Sequence, residues 1–415
     1  MVFKNECKRI MRPIILIFLI VVSVLWYFVY MRDCHSSLHN NDGMPYAIAK
    51  EYVQRFGTTI DADEIEEIKK DHQAALSELN GIFKQYMGEY GINTKEEYYD
   101  YNDKYYDTFV DKSSEDYRNA VSKWGEEEYN RRAEIYDKLQ SIYWEQNSPV
   151  LSASFKEQAI RDYIEKYDFL LKERKAYKAD PYDEEYFFDN ATAQQRRVLE
   201  NRFSKDEISV YSGDTMNFNT YSSSWSLLIF ICCAIAVIPV LVRNKINNVA
   251  SLQYASKQGK HILLKQLAAA LSSGVLISVI LIFVFQLFYL KEYMDFINCP
   301  INLGVGDSLF WIDFTLLEYM VFLWVKTILL VICEIAALFW VSYYGKNYVT
   351  ALALSVPVIV VFNLLCDKIN SFLWAFSLSG YPSFLYPLVI GVTMVITVIL
   401  SVILMHKAKK ADYLG

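Results

Sequence analysis

Lys326 and Glu334 are ionisable residues eight positions apart inside one long apolar run. A charge in a bilayer is costly, so such residues usually face a cavity, a partner or a substrate path. At about 1.5 Å per residue they stand roughly 12 Å apart along a helix, too far to pair within it. Two readings are open. The pair lines a translocation path or bonds across subunits, or Lys326 snorkels or pairs with another helix for assembly alone. Gln286 and Asn363 interrupt other apolar runs, and Pro239, Pro357 and Pro387 mark further helix contacts or kinks. Covalent chemistry has no constellation: H-E-x-x-H, C-x-x-C and G-x-S-x-G are all absent from the sequence. Gly259-Lys260-His261 has the ending of a phosphate-binding loop. Tyr254, however, stands where its first glycine belongs, and His261 replaces the hydroxyl that would bind magnesium. The five histidines are dispersed, so no metal site, no cofactor and no enzymatic activity of the chain itself are expected.

The elements that would position these residues are membrane helices. Spanning about 30 Å of hydrocarbon takes roughly 20 apolar residues as a helix, because a helix satisfies its own backbone. Six runs qualify: Pro13–Met31, Trp225–Val242, Gln266–Leu290, Phe314–Tyr344, Tyr348–Cys366 and Phe384–Met405. The first exceeds the roughly 7–15 residues of a signal-peptide core and has no small-x-small cleavage site before Arg32, so it reads as a retained anchor. Basic residues mark every second loop. Lys4, Lys8, Arg9 and Arg12 precede the first run, and Arg243, Lys245, Lys257, Lys260 and Lys265 crowd the loop after the second. Lys346 follows the fourth run, and Lys407, Lys409 and Lys410 follow the sixth. Positive charge marks the cytoplasmic side, so residues 1–12, the loop 243–265 and the tail 407–415 are expected inside.

That leaves residues 32–224 outside, as one large domain between the first and second spans. It holds 25 Lys/Arg and 39 Asp/Glu, a net of −14, whereas the remainder holds 16 and 9, a net of +7, within the overall −7. Its apolar residues recur at helical spacing. One stripe holds Ile65, Ile68, Leu76, Leu79, Ile82 and Phe83 after a cap at Thr59 or Asp61. A second helix is expected from Ser114 to the Ser148-Pro149 break, and a third over Ser154–Tyr177. The expected fold is therefore an all-α membrane protein: six transmembrane helices, five of them bundled over 225–406, with a helical extracytoplasmic domain. Tyr98, Tyr99, Tyr101, Tyr105 and Tyr106 either form an aromatic recognition surface or pack the seams of that domain. Cys34 is the insert's one cysteine, with Cys299 and Cys366 as the other outward or outer-edge candidates; a Cys34–Cys299 disulfide is geometrically conceivable, and Asn190-Ala191-Thr192 matches a glycosylation sequon.

The segment Lys245–Leu271, KINNVASLQYASKQGKHILLKQLAAAL, resembles the first cytoplasmic loop of type-two ABC exporter permeases, just before their third span. On that resemblance Val249, Leu252 and Tyr254 supply the apolar side of a short coupling helix. Ala255-Ser256 is the break, Lys260 the basic position and Lys265 the lysine opening the next helix. The family's acidic residue before the coupling helix is absent here, and Lys257 stands where proline is common. The family layout is similar too: an anchor, an outward insert and five spans. Ile369–Pro387, with Phe372, Trp374, Phe376, Gly380 and Pro382, would be the counterpart of a membrane-dipping segment.

What the resemblance implies is a non-catalytic permease subunit in a plasma membrane, of bacterial type. Its partners would be a separate ATPase subunit, a second permease (like or unlike) and membrane lipid, with no nucleic acid. The cargo implied is a peptide or amphipathic compound. The competing expectation is a sensor or mechanotransmission protein whose outward domain binds a ligand or cell-wall partner without moving cargo. An ion-coupled transporter would show repeated halves, and the sequence has no such repeat.

Overall fold

The computed structural model describes residues 2–32, 44–179, 192–211, 215–246, 259–304, 309–375 and 381–410. Helix dominates, and the chain divides into two compact units. One comprises residues 1–40, 190–204 and 211–415, the other 41–189 and 205–210.

The membrane unit starts with α1 (Val2–Ile10), a short amphipathic helix, followed by α2 (Pro13–Trp26), which opens on Pro13 and widens into a π turn over Tyr27–Met31. In the helical unit, α3 (Met44–Phe56) leads through β1 (Thr59–Ile60) to α4 (Ala62–Met87), then α5 (Lys95–Phe109), α6 (Glu115–Trp124), α7 (Glu126–Trp144), α8 (Pro149–Ala179) and β2 (Ile208–Ser209). The Asp61 side chain accepts from the Glu64 backbone while Glu64 reaches back to the Asp61 N–H, a capping box that fixes where α4 begins. The two strands pair antiparallel, Thr59 opposite Ser209 and Ile60 opposite Ile208.

The core of the helical unit is aromatic. Leu79, Phe83, Met87, Tyr98, Leu139, Tyr143 and Val150 bury together, and Phe109, Ala120, Tyr129 and Tyr136 form a second cluster. Tyr98 stacks on Tyr143 at 4.5 Å, and its hydroxyl donates to Gln140 at 3.2 Å. Tyr101 packs against Tyr136 and Tyr105. These tyrosines therefore fill helix seams, while Tyr99 and Tyr106 remain exposed. The helix expected from Ser114 to Ser148 is broken in two. Gly125, at φ 77° and ψ 162°, ends α6 and begins α7 in a conformation that only glycine adopts freely.

The membrane unit continues with α9 (Ala193–Ser204), α10 (Thr215–Ile246), α11 (Gly259–Tyr293), α12 (Leu316–Tyr344), α13 (Tyr348–Phe372) and α14 (Leu385–Lys410). Six helices are long and apolar enough to cross a membrane: Pro13–Met31, Phe218–Asn244, His261–Lys291, Leu316–Tyr344, Tyr348–Phe372 and Leu385–Ala408. All six expected runs are among them, which makes the chain all-α and compatible with a multi-pass membrane protein. Residues 190–204, expected within the soluble insert, group with the membrane helices, and α10 begins ten residues before Trp225. Within this unit α10 and α12 are central, whereas α2, α13 and α14 leave most of their apolar length exposed. Ala234, Ile238, Val242, Leu338 and Ala351 join α10, α12 and α13 in one core.

Gly274 lets α11 pack tightly against α12 and α10. A Cβ there would collide with Ile335 Cδ1 of α12 and stand 3.7 Å from Cys233 Sγ of α10. Small residues allow such close packing in bilayers. Ile335 is fully buried and has little room to yield. Gly274→Val should therefore destabilise the bundle by about 1–3 kcal/mol through overpacking. Thermal unfolding of the purified chain in detergent measures this; an unchanged midpoint would show that the contact is looser.

Candidate functional site

The expected coupling loop is braced at both ends by α1. Arg9 bonds Glu6 at 3.1 Å and donates to Asn244 Oδ1 at 2.6 Å, just before α10 ends. Gln266, in the second turn of α11, donates to the same Glu6 at 3.3 Å. Glu6 is 3% exposed and Ile10 1%, so the short helix is seated rather than lying free. Arg9 and Glu6 thus link the helix that enters the loop to the helix that leaves it. Lys260 and Lys265 lie in the first two turns of α11. Val249, Leu252, Tyr254 and Ser256 lie outside the described residues.

Farther along the bundle, a polar seam joins α10, α12 and α13. Lys326, 1% exposed, donates to Asn370 Oδ1 and, at 3.4 Å, to the Cys366 carbonyl. The Asn370 amide donates to Asn219 at 2.6 Å. One turn away, Ser223 donates to Asp367 at 2.7 Å, and Asn363 reaches the same carboxylate at 3.4 Å. Ser226 and Thr327 hydroxyls meet at 3.1 Å. Lys326 of α12 is thus hydrogen-bonded to α13. Asn219, Asp367 and Asn370 were not singled out from sequence. Asn363, Asp367 and Asn370 follow i, i+4, i+7 spacing, a one-face signal that could have exposed them.

Glu334 and Gln286 are different. Glu334 is 0% exposed, and neither of its oxygens has a hydrogen-bond partner among the described residues. It lies close enough to Cys232 and Cys233 to act on both electrostatically, beside the tight Gly274–Ile335 contact. Gln286, 2% exposed, likewise leaves its amide oxygen and nitrogen unbonded. The structure therefore brings Lys326 and Asn363 into one seam and leaves Glu334 and Gln286 out of it.

At the end where α12 begins, α9 and the loops form a hydrogen-bonded cap. Asn302 donates to the Phe310 and Ile312 carbonyls and to Asp313, and accepts from the Phe310 N–H. Gln195 donates to the Ala375 carbonyl at 2.7 Å, Arg202 to that of Gly304 at 3.0 Å, and Asn201 to Asp313. Trp374 forms a β-bridge with Phe310. The described parts of the expected membrane-dipping segment are thus the end of α13, an extended bridge at Trp374, and residues 381–387, which run into the start of α14; Phe376 and Gly380 lie outside the described residues. A polar pocket of about 330 Å³ opens on this cap, lined by Gln194, Arg197, Asn201, Trp311, Asp313 and Ser383. Cys299 is a free, buried thiol whose pKa burial pushes up to about 11. Cys34, Asn190 and Ala191 lie outside the described residues. Thr192 caps α9 by exchanging bonds with Gln195. Among the described residues no cluster of metal-ligating side chains occurs.

No protein-family model, curated protein or solved structure matches this chain.

Proposed function

We propose that this chain is the membrane-spanning permease subunit of an ATP-driven ABC exporter, moving a peptide or amphipathic compound such as an antimicrobial peptide, for export or self-immunity. A separate ATPase chain supplies the energy and docks on the loop 243–265, whose Val249, Leu252 and Tyr254 form the apolar contact. A second permease chain completes the assembly. Both termini and this loop are cytoplasmic, by the distribution of lysine and arginine, and the helical unit between the first two spans faces outward.

One observation carries most weight: α1 clamps Asn244 and Gln266, the two bases of the basic loop, into a single rigid footing. A loop so braced passes a push to α10 and α11 together instead of flexing. From there the Gly274 contact carries movement to α12. The polar seam and the unpartnered Glu334 supply groups that a second arrangement of these helices can engage.

A mild-detergent pull-down from native membranes, analysed by mass spectrometry, tests the class. A stoichiometric nucleotide-binding chain is the expected companion. Recovery of a cell-wall or signalling partner without any ATPase would move the sensor reading ahead. Leu252→Asp with Tyr254→Asp should cut ATPase association at least about tenfold, as loss of a buried apolar anchor does, while the protein still inserts. Undiminished association would remove these residues from the docking surface.

A further inference from the structure

The end of the bundle where α11 begins and α12 and α14 end carries an apolar groove of about 460 Å³ between those three helices. Leu267, Leu271, Ile332, Ala336, Val398 and Val402 form its walls, and His406 lines it near the end of α14. Trp340 donates to Ser401, another lining residue, at 3.2 Å, which ties α12 to α14 along the groove. Apart from Glu6, which is paired with Arg9 and bonded by Gln266, the formal charge around it is positive. Lys265 lies in the second turn of α11, Lys346 follows α12, and Lys407, Lys409 and Lys410 follow His406 within about a turn. No aspartate or glutamate occurs in residues 244–270, 338–350 or 400–410.

We propose that this groove is a binding site for an anionic phospholipid, its acyl chain lying between α11, α12 and α14 and its phosphate meeting the cationic mouth at His406. Basic pockets between membrane helices suit such headgroups, and each cation near an anionic lipid surface contributes about 1 kcal/mol, roughly fivefold in affinity. The proposal requires the six helices to cross a bilayer and is independent of the permease reading.

The test is native mass spectrometry of the full-length purified chain, titrated with phosphatidylglycerol or phosphatidylcholine of matched acyl chains. Phosphatidylglycerol is expected to bind about 25-fold more tightly, the contribution of two such cations. Replacing Lys407, Lys409 and Lys410 by Gln should abolish that preference and leave phosphatidylcholine binding in place. Val402→Trp, at a 64% exposed wall position, should block the groove without entering the packed core and reduce phosphatidylglycerol binding. Equal affinity for the two lipids would overturn the proposal, as would wild-type preference in both variants. So would a dimer that excludes lipid and is broken by Val402→Trp, since the groove would then seat a second copy.

Discussion

Glu157→Ala should destabilise the helical unit by about 3–5 kcal/mol, the effect of removing one member of a buried ion pair. Glu157 is 2% exposed on α8 and accepts from Lys95, itself 8% exposed at the start of α5, and from His72 of α4 at 2.8 Å. Arg161 lies 3.7 Å away. Alanine leaves the Lys95 ammonium buried without its carboxylate and unties three helices at one point. Burial works to raise the pKa of Glu157, but the hydrogen bonds from Lys95 and His72, with the charges of Lys95 and Arg161, outweigh it and hold the carboxyl below its ordinary 4.5. The sign follows from linkage. A carboxylate depressed in the folded state stabilises fully above its unfolded value, and the contribution disappears as pH falls through the lower folded value. Wild-type protein should thus lose stability below about pH 4.5, and Glu157→Gln should lack this component of acid sensitivity. Hydrogen exchange of residues 62–109 and 149–179 in the intact chain reads both effects. Unchanged protection in Glu157→Ala would show that the cluster is solvated and weak.

Spans were legible in the sequence because a bilayer imposes a long, local signal. The first run coincides with the observed Pro13–Met31 helix. Others extend farther, as α11 does back to Gly259, because a helix continues through polar residues once nucleated. Asp61 was legible as one of two caps, since a capping box is contained within four residues. The break at Gly125 was not legible, because a single glycine in an amphipathic pattern carries little weight until its backbone angle is known. The brace was illegible for another reason: Glu6 and Gln266 are 260 positions apart, and nothing local to a nine-residue helix announces its partner. The same holds for Lys326, whose charge marked it but whose acceptors lie 40 and 44 residues away.

Glu334→Leu should make the bundle more stable and, on the permease reading proposed above, weaken transport. A buried polar group without a hydrogen bond costs about 1–3 kcal/mol in proteins. Leucine, close in volume, removes that cost while keeping the packing against the helices around Gly274. Lys326→Met makes the opposite case. Lys326 is satisfied by Asn370 and the Cys366 carbonyl, so its loss leaves the seam with vacant acceptors and lowers stability. The contrast in sign is what distinguishes a bonded polar group from one kept at a cost. Intramembrane ionisable residues mark working sites, and a stabilising substitution that removes activity is the expected signature of a group used in another arrangement of the helices. Denaturation in detergent and transport in proteoliposomes measure the two effects separately. A destabilised Glu334→Leu would mean that the carboxyl is bonded in the assembled protein, by water or by a second chain. A stabilised and fully active variant would make Glu334 dispensable, and the permease reading would then lean on the Lys326 seam.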